Sequence, residues 1–206
     1  MSRRTPATAA ILVALLATAT ACKATTTTGS NGSTASASTG TSSKTAATAT
    51  VPNFVGMGLQ SAQDTAQAAG FYNLDSHDAL GRDRNQILDR DWKVCSQNLK
   101  AGSKESTDTK LDFGAVKLKE TCPAKDQAAP TAAGGTMPNF KGDSVKAARA
   151  ALDSSTSITV KDASGQGRFI LVESNWQVCS QTPAAGAKLA GQPVTLNAVK
   201  FDESCP

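Results

Sequence analysis

Aromatic residues are scarce in this chain: six Phe, two Trp and one Tyr make up 4% of 206 residues. Charge is thin as well, at 18%, and Lys and Arg are interspersed with Asp and Glu, as in "GRDRNQILDRD". Without a basic stripe interleaved with aromatics, nucleic acid is not an expected partner. Without a polybasic block, an anionic membrane surface is not one either. Histidine occurs once, as His77 in "LDSHDAL", and no C-x-x-C is present, so a zinc site lacks its usual ligand spacing. His77 is expected at a strand end or turn, in solvent. No cofactor, metal or catalytic residue is expected. Glu120 and Glu203 recur beside the last cysteine of two similar segments, but no polar cluster stands in one segment and is missing from the other, so a nucleophile–base–stabiliser set is not in evidence.

Long apolar runs are also missing. The longest lies in "MSRRTPATAAILVALLATATAC", from Ala7 to Ala21, shorter than the ~20 residues that span a bilayer. Arg3 and Arg4 before it and small residues after it predict a secretory signal over 1–21, cut before Cys22. "ATAC" resembles the lipobox of bacterial lipoproteins, with Ala19 where Leu is usual. That resemblance implies lipidation of Cys22, with diacylglycerol on sulfur. The segment from there to Thr50 is almost entirely Thr, Ser, Ala and Gly. It cannot bury enough apolar surface to offset chain entropy, and is expected to be a disordered tether of roughly 30 Å.

What the chain does have is a repetition. "DWKVCSQNLKAG", from Asp91, returns as "NWQVCSQTPAAG", from Asn175. Around these, 51–123 aligns with 137–206 at offsets of 83 to 86, and a linker, 124–136, lies between. Of the five cysteines, Cys22 is set aside by lipidation. Cys95 and Cys122, and Cys179 and Cys205, occupy matching places in each copy, which argues for one disulfide per repeat. Such a staple suits a domain of ~70 residues, whose core is small.

The periodicity predicts one helix per repeat. Leu59, Ala62, Ala66 and Ala69 share a face, as do Val145, Ala148 and Leu152. Ser144 is the expected N-cap and Gly70 the expected stop. Strands are expected at 71–73 and 157–161, through "QILDRDWKVCSQ" and "RFILVESNWQVCSQ", and at "TKLDFGAVKLK" and "VTLNAVKF". The fold class is α+β: two tandem small domains, each one helix on a small antiparallel sheet of about three strands.

The opening loops and helices, "VPNFVGMGLQSAQDTAQAAGF" and "MPNFKGDSVKAARAAL", together with the hairpins "VCSQNLKAG" and "VCSQTPAAG", resemble the PASTA repeat of bacterial penicillin-binding proteins and serine/threonine kinases, here in a lipoprotein of actinobacterial type. Leu99 stands where that hairpin usually has Pro. The resemblance implies a non-catalytic module facing the cell wall. Its partners would be peptidoglycan or muropeptides, or membrane proteins that carry PASTA repeats. Its place would be the outer face of the cytoplasmic membrane, held by the lipid on Cys22. Trp92 and Trp176 are expected to fill the cores, with stacking on a glycan as the alternative. Arg84 and Arg168 recur at one turn and are candidates to pair a stem-peptide carboxylate. As turn residues they should be replaceable within about 0.5 kcal/mol of stability.

Overall fold

Each repeat places its helix before its sheet. The computed structural model describes residues 47–206; the leader at 1–21, Cys22 and the tether as far as residue 46 lie outside the described residues. The last residues of the expected tether belong to the first repeat. Strand β1 (Thr48–Thr50) runs antiparallel to β4 (Lys104–Ser106), with Thr48 opposite Ser106. Polar composition read locally gave no hint of this, because the partner edge is supplied by a distant hairpin.

Helix α1 (Leu59–Ala68) buries Leu59, Ala62 and Ala66. It ends where Gly70 adopts φ +95°, a left-handed conformation that Gly takes without strain. Helix α2 (Val145–Ala151) is capped by Ser144, whose side chain accepts from the Ala147 N–H. Both signals were legible in the sequence.

The sheets have three strands each: β2 (Leu74–Asp78), β5 (Leu111–Lys117) and β3 (Trp92–Gln97) in that spatial order, and β6 (Ile158–Asp162), β8 (Val194–Lys200) and β7 (Trp176–Thr182) in the other repeat. They are mixed rather than antiparallel. β2 runs parallel to β5 while β3 runs antiparallel to it, and β6 and β7 flank β8 in the same way. Side-chain alternation is identical in either direction, so the pattern could not report it. The connection over 79–91 brings β3 back opposite in direction to β2, and the reversal after β3 then lays β5 between the two, parallel to β2.

The strand expected at 71–73 lies instead wholly beyond it, at Leu74–Asp78, and the one expected at 157–161 runs one residue later, at Ile158–Asp162. The long expected strands "QILDRDW" and "RFILVESNW" break into short 3-10 turns at Asp89–Asp91 and Glu173–Asn175 before the Trp. Val172 is therefore exposed, while Ile170 still packs against the core that holds Trp176. Phe54, Phe71, Phe113, Trp92 and α1 form the first core, and Phe140, Trp176, Leu196 and α2 the second.

The recurring Ser-Gln pair has a structural reason. Gln97 Oε1 accepts from the Phe54 N–H at 2.8 Å and its amide donates to the Pro52 carbonyl at 3.2 Å. Gln181 repeats both bonds to Phe140 and Pro138 at 2.7 Å. One half-buried amide thus ties the Pro-Asn-Phe loop to the hairpin. A register shift between Val94 and Ser96, and between Val178 and Ser180, leaves Cys95 and Cys179 in bulges. A bulge redirects its side chain, and each cysteine reaches its partner: the disulfides are Cys95–Cys122 and Cys179–Cys205, both with Cα atoms 5.4 Å apart.

Candidate functional site

Arg84 and Arg168, the expected ligand-binding pair, are built into the fold. Arg84 Nε donates to Asp78 Oδ2 at 2.6 Å and Nη2 donates to Asp78 Oδ1 at 2.9 Å. From the other side, Nη1 and Nη2 donate to the two oxygens of Glu120 at 3.0 and 2.9 Å. Its side chain is 4% exposed and that of Asp78 0%. Arg168 makes the same clasp with Asp162, at 2.9 and 3.1 Å, and with Glu203, at 2.7 and 2.8 Å. It is 23% exposed. A guanidinium held by two bidentate carboxylates has little left to offer a ligand carboxylate. The expectation of a free turn arginine is corrected by this geometry.

Electrostatics follow the contacts. Burial opposes the charge on Arg84, but Asp78 and Glu120 outweigh it and raise its pKa. Burial likewise pushes Glu120 up, and the hydrogen bond from Arg84 more than reverses that, leaving it lowered. In the second repeat, the hydrogen bond from Arg168 holds Glu203 down to about 2 and Asp162 far below the usual carboxylate range.

Trp92 and Trp176 are core residues, 1% and 4% exposed. Each indole lies beneath its arginine, with the guanidinium carbon 4.9 Å from the Trp92 ring and 4.7 Å from the Trp176 ring. So the sequence element W-x-V-C supplies a floor for the clasp (Trp), a core residue (Val) and a staple (Cys). Both rings border the groove at the junction of the repeats, but with so little surface exposed they leave hardly any face for stacking on a glycan. Sequence reasoning missed Asp78 and Asp162. They stand 84 residues apart, as Arg84 and Arg168 do, and that shared offset was the signal available.

Of the two places expected for it, His77 takes the strand end: it is the penultimate residue of β2 and exposed, with Nδ1 3.1 Å from Asp112 and Nε2 2.8 Å from Asp126.

The two repeats belong to one packed unit. Phe201 lies against Arg84, 4.9 Å from ring centre to guanidinium, and Lys146 Nζ donates to Asp83 at 2.9 Å. Burial pushes the Asp143 carboxyl up to about 6, with Arg82 opposing and Asp78 adding to the shift. At this junction opens a groove of about 510 Å³, lined by Phe169, Leu171, Val172, Phe201, Lys117 and Lys200 among others. Phe169 and Leu171 are each 86% exposed, unusual for such large apolar side chains. Among the described residues, no group of His, Cys, Asp and Glu is arranged to hold a metal ion, and no helix is long and apolar enough to cross a membrane.

Residues 135–200 match the family model described as PASTA domain. The second repeat is thus similar to a PASTA domain. The first PASTA-like repeat shares its strand order, disulfide and arginine clasp. No curated protein matches the chain. Among solved structures, it is similar to the three-PASTA-domain region of a Ser/Thr kinase from Staphylococcus aureus, with 15% identity over 75% of this chain and 66% of that one and a TM-score of 0.26. It is also similar to the entire extra-cellular region of the Ser/Thr kinase PrkC from the same organism, with 13% identity over 76% of this chain and 48% of that one and a TM-score of 0.28. The chain thus spans about two thirds and about half of their lengths.

Proposed function

We propose that this chain is a non-catalytic, extracytoplasmic protein that binds peptidoglycan or its fragments through the groove at the junction of its repeats. PASTA domains are extracellular binding modules, which supports the setting. The observation that carries the reading is the groove itself: an exposed aromatic ring and two lysines beside an apolar floor. The ring of Phe169 suits the apolar face of a sugar, and Lys117 and Lys200 suit the carboxylates of a stem peptide. Arg84 lines this groove too, but its guanidinium is taken up by Asp78 and Glu120, so the free charges beside the groove are those of the lysines.

Phe169→Ser and Lys200→Ser change exposed side chains, so unfolding free energy should move by no more than about 0.5 kcal/mol. Retention on purified peptidoglycan should nonetheless weaken, by about tenfold in the double variant if the two contacts together contribute about 1.4 kcal/mol. Undiminished retention of that variant would remove the groove from consideration.

A second reading is favoured by one specific feature. Ile87 and Leu88 in the first repeat and Leu171 and Val172 in the second are exposed at equivalent places. Paired apolar side chains of this kind suit a protein surface, and would make the chain an adaptor or spacer acting with a PASTA-bearing kinase or wall synthase. Failure of the wild type to bind peptidoglycan, with capture by such an extracellular region, selects this reading.

Anchoring forms part of the proposal. Removal of 1–21 and diacylation of Cys22 would hold the chain at the outer face of the cytoplasmic membrane, since two acyl chains give stable attachment where one does not. Mass spectrometry of the mature protein should find the lipid on Cys22, and Cys22→Ala should release the chain from the membrane fraction. A mature N-terminus without lipid mass would overturn the anchor.

A further inference from the structure

A cluster around His77 lies apart from the groove and concerns the linker at 124–136. Asp126 leaves the first disulfide and folds back over the sheet. Its carboxylate accepts from Ser96 Oγ at 2.8 and 2.7 Å and meets His77 Nε2 at 2.8 Å. The next residue continues the docking, as the Gln127 N–H donates to the Ala79 carbonyl at 2.8 Å. From Ala132, whose N–H donates to the Ala151 carbonyl, the chain is held by the second repeat. Residues 129–131 are left to make the crossing.

Two glycines make room for this path. A Cβ at Gly114 would run into Ser96 Oγ and stand 2.6 Å from the Asp126 carboxylate, and one at Gly81 would stand 2.6 Å from the Ala128 carbonyl oxygen. The second repeat shows what fills the slot otherwise. At the register position of Gly114 it has Asn197, whose Nδ2 donates to Ser180 Oγ at 3.0 Å, and opposite Asn197 stands Lys161 in place of His77. The slot, the histidine and the returning carboxylate thus occur together in the first repeat.

We propose that His77 and Asp126 form a pH-sensitive latch: protonated His77 holds the linker on the first repeat, and deprotonation frees it, lengthening the crossing between the repeats.

The geometry requires the charge. Both imidazole nitrogens face carboxylate oxygens, and only the doubly protonated ring can donate to both. A neutral ring turns one lone pair toward an anion. The carboxylates in contact are Asp112 from β5 and Asp126 from the linker, while β3 contributes the neutral Ser96. On β2 itself, Asp75 is paired to Lys110 and Asp78 to Arg84; from α2, Lys146 lines the adjoining hollow and is paired to Asp83. Burial opposes protonation of His77, but Asp112 and Asp126 together raise its pKa above 6.5. A folded value above the unfolded one means that the stabilisation is complete below about pH 6.5 and is lost as pH climbs through the folded value.

The chain has one histidine, so its ring resonances in the full chain are unambiguous by NMR. The midpoint should lie above 6.5 and fall toward it in Asp126→Asn. The protection factor of the Gln127 amide, corrected for intrinsic exchange, should drop with rising pH, by about tenfold for each unit between the latched and released values. His77→Gln should flatten that dependence. Gly114→Asn, copying the second repeat, should expel Asp126 and leave Gln127 unprotected at every pH. If that variant fails to fold, the wild-type midpoint and exchange profile still decide. A midpoint at or below 6.5, or Gln127 protection that ignores pH, would overturn the latch. Neither measurement depends on any ligand, so the peptidoglycan reading stands or falls separately.

Discussion

Replacing Arg84 by Met is expected to destabilise the first repeat by about 3–5 kcal/mol, the range for removing one partner from a buried ion pair. The reason is what it leaves behind. Asp78, with no exposed side-chain surface, is left in the core without its partner, and Glu120 loses both of its bonds to the guanidinium. The indole of Trp92 also loses the cation above it. For a domain of this size, such a loss takes most of the stability available. Chemical denaturation followed by hydrogen exchange should show the first repeat opening well before the second. Adding Asp78→Asn should recover part of the loss, because it replaces the stranded carboxyl by a neutral amide. Arg168→Met should have the smaller effect, since Arg168 is partly in water and Asp162 can be reached by solvent once it leaves. The clasp should also weaken in acid. Glu120 has a lowered pKa, so its contribution is present above about pH 4.5 and fades as pH falls through the folded value. An Arg84→Met variant that unfolds within 0.5 kcal/mol of wild type would return Arg84 to the status of an exposed turn residue.

Removal of the first disulfide, by Cys95→Ala with Cys122→Ala, should lower the stability of that repeat by about 3.5 kcal/mol. This is the chain-entropy value for a separation of 27 residues. The second repeat keeps its own bridge and should unfold as before. The two effects on the first repeat should not add. Cys122 fixes the segment that carries Glu120, two residues earlier, whose Oε2 also accepts from the Lys117 N–H at 3.0 Å. Freeing that segment loosens the clasp, so Arg84→Met in the disulfide-free background should lose less than in the parent. A double-mutant cycle measures the difference. Strict additivity would mean that the bridge and the clasp act independently. A link between the two repeats found by non-reducing peptide mapping would defeat the scheme altogether.

Much of the architecture was legible because repeats and periodicities are local records of burial. The duplicated W-x-V-C-S-Q announced two domains, and its matched cysteines announced their bridges. Leu59, Ala62 and Ala66 recorded the buried face of α1, and Ser144 and Gly70 marked helix ends through their own backbone preferences. Scarcity of aromatics was informative as well: with two tryptophans at matching positions, core filling was the expected use, and both indoles are buried.

Other properties were absent from those records because they depend on partners remote in sequence. Side-chain alternation is blind to strand direction, so the parallel pairing of β2 with β5 emerged only when the last strand inserted between its predecessors. Arg84 reads as a solvated turn residue beside Asp83 and Arg82. Its burial comes from Asp78, six residues back, from Glu120, 36 residues on, and from Phe201 of the other repeat. His77 reads as a solvated histidine at a strand end or turn, and its two carboxylate partners come into view only when the linker returns across a slot that Gly114 keeps open. Composition and spacing in the chain determined the number of domains, their staples and their core faces. Which charges would be buried, and which would be held by another segment, was decided by tertiary folding, because the energy of an ionised group is set by the atoms packed around it rather than by its neighbours along the chain.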